Sequence, residues 1–283
     1  MPELSLRGGE VDGLSLHYVV AGRGPAVLLL HGLGGFAESW RDTIDRLSNR
    51  ATVFALDLPG FGRSAKPRTT YSLTYFARAV HGFLDAMGLA QASLVGHSLG
   101  AAIGVTYALT HPTRVERVAC VAGLVPGFSF RPSWRQRAIL LPVVGEVLSL
   151  GGRPSIIKAV LARCFHKPRR AVVDFLVDYD YAVRATPVAR AAWLAAARHM
   201  RTDFVARRAD YRRAIGSLDL PVLLVHGRQD RAVPAVHASE VATGLPRVTV
   251  RWLDACGHFP HLEHARTVNA WLEEFLVGRT AAR

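Results

Sequence analysis

A serine with a glycine two residues to either side stands at Gly96-His97-Ser98-Leu99-Gly100, inside the stretch SLVGHSLGAAIG. A serine hydroxyl attacks a carbonyl carbon usefully only when a base takes its proton and a third group orients that base. The chain offers both, in a fixed order. Asp230 follows the apolar run of VLLVHGRQDRAVP, and His258 follows that of VRWLDACGHFPHLEH. Asp230 would accept a bond from one ring nitrogen of His258, and the other nitrogen would take the Ser98 proton. This is acyl-transfer chemistry through a covalent intermediate. The glycines have a steric reason to be there. A nucleophile raised on a sharp strand-to-helix turn needs small residues two positions away, and Gly96 and Gly100 meet that need.

The oxyanion formed in such an attack needs backbone N–H donors. Leu99 N–H, first in the helix after the serine, is one. LLLHGLGGFAESW supplies the other: a strand followed by His31-Gly32-Leu33-Gly34-Gly35, with Leu33 N–H the best candidate. His31 is read as holding this loop by hydrogen bonds without transferring protons. His97 is read as a wall of the site or a structural contact, because consecutive residues in so sharp a turn point apart. His226, His261 and His264 compete with His258, but none comes directly after a strand that follows Asp230. Asp254 is too close in sequence to orient His258 as a remote acid. A different chemistry competes for the glycine loop. Gly32-Leu33-Gly34-Gly35-Phe36-Ala37 satisfies G-x-G-x-x-A after a strand, and Asp57 lies about twenty residues on, the spacing of a dinucleotide-binding oxidoreductase. That reading leaves Ser98, Asp230 and His258 without a task and puts the loop after a third strand instead of a first. The favoured constellation calls for no metal and no organic cofactor.

Elements to carry these residues are visible along the chain. LSLRGGEVDGLSLHYVVAG alternates like a β-hairpin with a Gly-rich turn. Nearly uninterrupted apolar runs follow at Ala26–Leu30, Thr52–Leu58, Ala92–Gly96, Val115–Val121, Pro221–Val225 and Val248–Leu253, as expected of strands buried on both faces. TYFARAVHGFLDAMGL has helical spacing and stops at Gly88, and LGAAIGVTYALTHP is apolar nearly all round and stops before Pro112. Alternating strands and helices predict an α/β fold: a mostly parallel central sheet with helices on both faces. From about Val125 to Gly216 the pattern is helical without a convincing strand. The expected organisation is therefore a core of residues 1–124 and 217–283, interrupted by a helical insertion over 125–216.

The chain has 283 residues, half of them hydrophobic and one fifth charged, which fits a globular protein with a sizeable core. Its formal net charge is +13, and the segment 125–216 alone holds 17 Lys and Arg against 6 Asp and Glu. No nucleic-acid motif accompanies that charge, so no nucleic-acid partner is expected. A solvated basic surface is the plain reading, and an acidic substrate or anionic interface is the other that such a field allows. AILLPVVGEVLSLGG, the most apolar stretch, is too short to span a bilayer, so no integral membrane association is expected. MPELSLRGGEVDG lacks the apolar region of a secretory signal, and the three cysteines are widely spaced. A cytoplasmic monomer or homodimer acting on a small molecule is the resulting expectation.

Taken together, LLLHGLGGFAESW, FALDLPGFGRSAKP, LVGHSLGAAIG, PVLLVHGRQDRAVP and CGHFPHLEHARTVNAWLEEFL resemble the α/β-hydrolase superfamily, in its order and over nearly the whole chain. The resemblance implies a Ser98–Asp230–His258 triad with Leu33 and Leu99 at the oxyanion hole. It also implies that the insertion is a cap over the site. The apolar residues of WRQRAILLPVVGEVL and around Trp193 would then serve mainly in cap packing, with a few lining the pocket. Haloalkane dehalogenases and epoxide hydrolases of this fold use aspartate where this chain has Ser98. CGHFPHLEHA is similar to the meta-cleavage C–C hydrolases, which usually carry Trp where this chain has Phe259 and HGxGPG where it has HGLGG. Hydrolysis of small or medium apolar carboxylic esters is the leading expectation. C–C hydrolysis, lactone hydrolysis and acyl transfer on the same triad stand beside it, as does a ligand-binding protein on the hydrolase scaffold.

Overall fold

The structure is a computed structural model describing residues 3–128, 137, 138, 140–150, 154–184 and 186–278. Strands β1 (Glu3–Ser5) and β2 (Ser15–Ala21) form the expected antiparallel hairpin, with Glu3 opposite His17. The strands β3 (Ala26–Leu30), β4 (Thr52–Leu56), β5 (Ala92–His97), β6 (Val115–Val121), β7 (Val222–Gly227) and β8 (Val248–Leu253) run parallel to one another. They complete one eight-stranded sheet in the order β1-β2-β4-β3-β5-β6-β7-β8.

The apolar runs are uninterrupted because side chains alternate between two buried faces. In β3, Leu28 and Leu30 enter the core shared with helices α2 (Leu73–Ala86) and α3 (Leu99–Thr110). Val27 and Leu29 enter the opposite core, shared with α1 (Arg41–Leu47) and α11 (Ala265–Val277). Burying such a side chain is worth about 1.5–3 kcal/mol, so neither face tolerates a polar residue cheaply. Two strands depart from the sequence expectation. β8 is the sheet edge, with Thr249 and Arg251 exposed between half-buried neighbours, so it is not buried on both faces. β4 ends at Leu56, because Leu58 N–H turns to the His31 ring at 3.0 Å.

The helices begin and end where local chemistry dictates. Ser72 caps α2 by accepting the Tyr75 N–H, and Gly88, at φ +66°, provides the left-handed residue beyond its end. α3 is buried from Leu99 to Ala108, which explains its lack of a polar face.

Between β6 and β7 the described residues form helices and no strand: α4 (Val144–Leu150), α5 (Pro154–Cys164), α6 (Arg170–Arg184), α7 (Pro187–Ala206) and α8 (Arg208–Gly216); α9 (Ala235–Ala242) follows β7. Of the apolar stretch singled out above, Trp134–Gln136 and Ile139 lie outside the described residues. Trp193 packs half-buried against the main core. The buried Asp203 of α7 accepts the Leu73 N–H at 2.7 Å, so an acid of the insertion completes the N-terminus of core helix α2. Several of the insertion's cations are paired within it, as in Arg198–Glu146, Arg213–Asp210 and Lys158–Asp174. Among the described residues no helix is long and apolar enough to cross a membrane.

The order of strands decides where a site can form. From β3 the chain passes to β4 on one side, while β5 lies on the other. The loops leaving the carboxyl ends of β3 and β5 therefore part at the middle of the sheet, where open α/β sheets have their crevice. His31–Gly35 leaves β3 there, and Ser98 leaves β5.

Candidate active site

Ser98 stands between the end of β5 and the start of α3 with φ 51° and ψ −113°. A non-glycine residue in that region is strained by about 1–3 kcal/mol and persists only where its surroundings fix it. The surroundings here are explicit. Ser98 N–H donates to Val121 O at 3.1 Å, and Ser98 O accepts from Ala101 N–H and Leu124 N–H, each at 3.1 Å. The flanking glycines let the chain close this tightly. A Cβ on Gly96 would lie 2.3 Å from Ala101 N, and one on Gly100 2.1 Å from Leu30 O. The turn thus fixes the backbone of Ser98 at the carboxyl end of β5, beside the crevice.

The glycine loop after β3 comes up against this turn. A Cβ on Gly32 would lie 3.1 Å from Ser98 Cβ and 2.9 Å from His97 Nδ1, so the backbone here approaches as only glycine allows. Gly34 takes φ +75°, and Gly35 N–H closes the turn on Gly32 O at 2.9 Å. His31 holds the loop from inside. Its Nδ1–H donates to Gly32 O at 2.7 Å, and its Nε2 accepts the Leu58 N–H at 3.0 Å. Both nitrogens are committed, and burial keeps the ring below its ordinary pKa in spite of the nearby Asp57. Among the described residues, no backbone or side-chain acceptor takes the N–H of Leu33 or Leu99.

Asp230 and His258 meet beyond β7 and β8. His258 Nδ1–H donates to Asp230 Oδ2 at 2.8 Å, and both residues are buried. The other carboxylate oxygen accepts Ala232 N–H at 2.8 Å and Val233 N–H at 2.9 Å. Burial opposes ionisation of Asp230, but the histidine charges and hydrogen bonds of His258 and His226 outweigh it and hold the carboxyl well below the usual range. An ionised carboxylate can only accept, so Nδ1 of His258 carries the proton of this bond.

His97 joins this pair to the serine. Its Nε2–H donates to His258 O at 2.8 Å, and its ring lies 4.8 Å from that of His258. The residue before Ser98 is thereby bonded to the backbone of His258. Gln229 makes a second tie that the sequence did not advertise. Its N–H donates to Cys256 O at 3.0 Å, and its side-chain oxygen accepts Cys256 N–H at 3.1 Å, which locks the Asp230 loop to the His258 loop. Of the competing residues, His226 also reaches Asp230, its Nε2 lying 3.4 Å from Oδ2, and the others go elsewhere. His226 Nε2–H donates to Val233 O at 2.9 Å, His264 Nε2–H to Ala255 O at 3.1 Å, and Asp254 pairs with Arg228 at 3.0 Å. His261 stacks on Trp40 with ring centroids 4.4 Å apart.

Asp57, the acid of the dinucleotide spacing, is fully buried and spent. It accepts from His17 Nδ1 at 2.8 Å, Ala37 N–H at 2.7 Å and Arg63 N–H at 2.8 Å. A Cβ on Gly62 would fall 2.1 Å from its carboxyl, so the following loop wraps it closely. No ribose could reach that carboxylate, and the glycine loop leads into a short 3-10 turn at Ala37–Trp40 instead of opening a helix. These residues do not fit a dinucleotide. Among the described residues no group of three His, Cys, Asp or Glu side chains is placed to hold a metal ion.

Burial holds His97 well below the ordinary histidine pKa and His261 down at about 3, with neighbouring histidines adding to the effect. As pH falls below about 6.5, the unfolded chain takes up protons that these buried rings do not. Stability should then drop by up to about 1.4 kcal/mol per pH unit for each ring, until the folded pKa is reached. His261→Phe keeps the stacking on Trp40 and removes one such ring. Its melting temperature should fall less steeply than that of the parent between about pH 6 and pH 4. Equal slopes would mean that His261 protonates freely in the folded protein.

The comparisons agree with this architecture. A family model described as alpha/beta hydrolase fold matches residues 25–148. The 2-hydroxy-6-oxo-6-(2'-aminophenyl)hexa-2,4-dienoic acid hydrolase of Metapseudomonas resinovorans is 30% identical over 266 residues, covering 90% of this chain and 85% of that protein. Among solved structures, the 2-hydroxy-6-oxo-6-phenylhexa-2,4-dienoate hydrolase of Rhodococcus sp. strain RHA1 is 26% identical with a TM-score of 0.82, covering 97% of this chain and 98% of that one. An esterase from Exiguobacterium antarcticum shares the fold at 19% identity with a TM-score of 0.83, covering 97% of this chain and 98% of that one. The chain belongs to the α/β-hydrolase family.

Proposed function

We propose that the protein is a serine hydrolase that cleaves carboxylic esters of small or medium apolar substrates through an acyl-enzyme. The observation that carries this reading is the conformation of Ser98: a serine held at φ 51° on a strand-to-helix turn, with its neighbour His97 bonded to the backbone of the Asp230-supported His258. Ala122, Ala255 and Tyr71 also take a positive φ, so it is the strand-to-helix turn together with the His97 bond to the base loop that supports a catalytic task.

In this mechanism His258 Nε2 takes the Ser98 proton as Oγ attacks the ester carbonyl carbon. The N–H groups of Leu33 and Leu99 receive the oxyanion. His258 then gives its proton to the leaving alkoxide, the C–O bond breaks, and the acyl group remains on Ser98. Water, deprotonated by His258, repeats the attack and releases the acid. Asp230 stays ionised throughout and stabilises the imidazolium. The helical insertion acts as a cap, since its α6 packs over the loop after β3 by stacking Tyr179 on Phe36 with centroids 3.8 Å apart.

A second reading, hydrolysis of a C–C bond in a dienoate, is favoured by the likeness to the dienoic acid hydrolase of Metapseudomonas resinovorans. A panel of short p-nitrophenyl esters, a lactone and a 2-hydroxy-6-oxo-dienoate separates the two. Ester turnover far above dienoate turnover is expected. Preferential dienoate cleavage would replace the ester reading with the C–C one.

A further inference from the structure

The structure assigns Glu263 as a positioning residue that locks the helical insertion to the loop carrying His258. The inference rests on the proposed role of His258 as the base. Glu263 ends the short helix α10 (Pro260–Glu263), half-buried, five residues beyond His258. Its Oε1 accepts the Gly257 N–H at 2.8 Å, and its Oε2 accepts the His166 N–H at 2.8 Å. Gly257 precedes the base, and His166 lies just beyond α5 in the insertion. Besides these two amides, Oε1 has the Cys256 thiol at 4.0 Å, so every recorded partner of the carboxylate is a donor.

The contact around it is continuous. His258 N–H donates to Cys164 O at 2.7 Å. Phe165 stacks on Phe259 with centroids 4.7 Å apart and planes at 20°. A Cβ on Gly257 would lie 2.2 Å from Cys164 O and 2.8 Å from His166 N, so the two segments touch backbone to backbone. Residues 164–166 of the insertion and 257–259 of the base loop are therefore laced together, and among the described residues Glu263 is the side chain that hydrogen-bonds both.

A carboxylate suits this position because both partners are donors. Charge-assisted bonds of this kind are roughly twice as strong as neutral ones. A glutamine of the same shape has one acceptor oxygen and one NH₂ group, and the NH₂ would face an N–H. Movement of the insertion away from the core has to break the His166 bond, and the strain then reaches Gly257 and the backbone of His258. The orientation of the base is thus tied to the placement of the insertion.

Glu263→Gln tests the assignment in the full-length protein with p-nitrophenyl acetate. We expect kcat to fall about tenfold with KM within about twofold, since the loss lies in the alignment of the base and not in binding. Hydrogen exchange should rise in the peptides spanning 164–166 and 256–259, while the rest of the sheet keeps its protection. Glu263→Asp retains the charge but cannot reach both amides. It should lie between parent and Gln, and it serves as the test if the Gln variant does not fold. Unchanged kcat and exchange in the folded variants would overturn the assignment, and so would a loss of protection spread over the whole sheet. Ser98→Ala in the same assay keeps the two ideas apart. If that variant retains full turnover, the base role of His258 fails, while exchange in the two peptides still decides whether Glu263 joins them.

Discussion

Ser98→Ala is expected to lower kcat for a p-nitrophenyl ester by about 10⁴-fold or more while leaving the melting temperature within a few degrees of the parent. The stability forecast comes from the turn. Every hydrogen bond recorded for Ser98 is made by its backbone, to Val121, Ala101 and Leu124, and alanine keeps all of them. The strained φ of 51° is no worse for alanine than for serine. The activity forecast comes from chemistry. Without Oγ there is no acyl-enzyme, and only binding and the N–H groups of Leu33 and Leu99 remain to assist water. Members of such a constellation act as a unit, so removing the nucleophile costs nearly as much as removing all of it. Turnover within tenfold of the parent, in a protein that melts normally, would show that Ser98 is a turn residue alone.

Asp230→Asn should have the next largest effect, a fall in kcat of about 10³–10⁴-fold with the fold retained. Asn can keep its oxygen toward the N–H groups of Ala232 and Val233, which Oδ1 of Asp230 now serves. Its NH₂ group then faces His258 Nδ1, where a carboxylate oxygen stood 2.8 Å away. A donor there forces Nδ1 to accept and moves the ring proton to Nε2, the nitrogen that must take the Ser98 proton. The defect is one of tautomer, not of packing. Asp230→Ala tests the distinction, because it also strips the two loop amides of their acceptor. Leaving such buried groups unpaired costs about 1–3 kcal/mol each, so the alanine variant should lose activity and melt lower, whereas the asparagine variant loses activity alone. Equal melting temperatures for the two variants would mean that the Asp230 loop does not depend on those bonds.

Much of this site was legible in the sequence, and the reason is physical. A strand-to-helix turn that raises a serine leaves a local signature, because glycine is needed at fixed offsets and the flanking runs are short and apolar. The order of Asp230 and His258 could be read because each directly follows such a run. Asp57 shows the converse. Its spacing from Gly32 imitates a ribose-binding acid, but its partner His17 lies 40 residues away and cannot be inferred from spacing. The supporting residues were hidden for the same reason. Gln229 binds a backbone amide 27 residues on, and Glu263 binds one 97 residues back. Backbone amides carry no residue-type signal, so nothing in the sequence marks their acceptors. The edge position of β8 was partly visible in the alternation of VTVRWL, yet hydrophobicity masked it. The pairing of the insertion's arginines with acids of the same segment, as in Arg198–Glu146 and Arg213–Asp210, was not visible in a count of charges.

The most direct measurement is covalent labelling of the folded protein with a fluorophosphonate, followed by intact mass and peptide mapping. Attack by an activated serine should add one phosphonyl group per chain, located on Ser98, with loss of ester turnover in step with labelling. The reaction should be strongly slowed in Asp230→Asn and absent after heat denaturation. Full esterase activity in unlabelled protein, or a phosphonyl group on a residue other than Ser98, would contradict the acyl-enzyme mechanism.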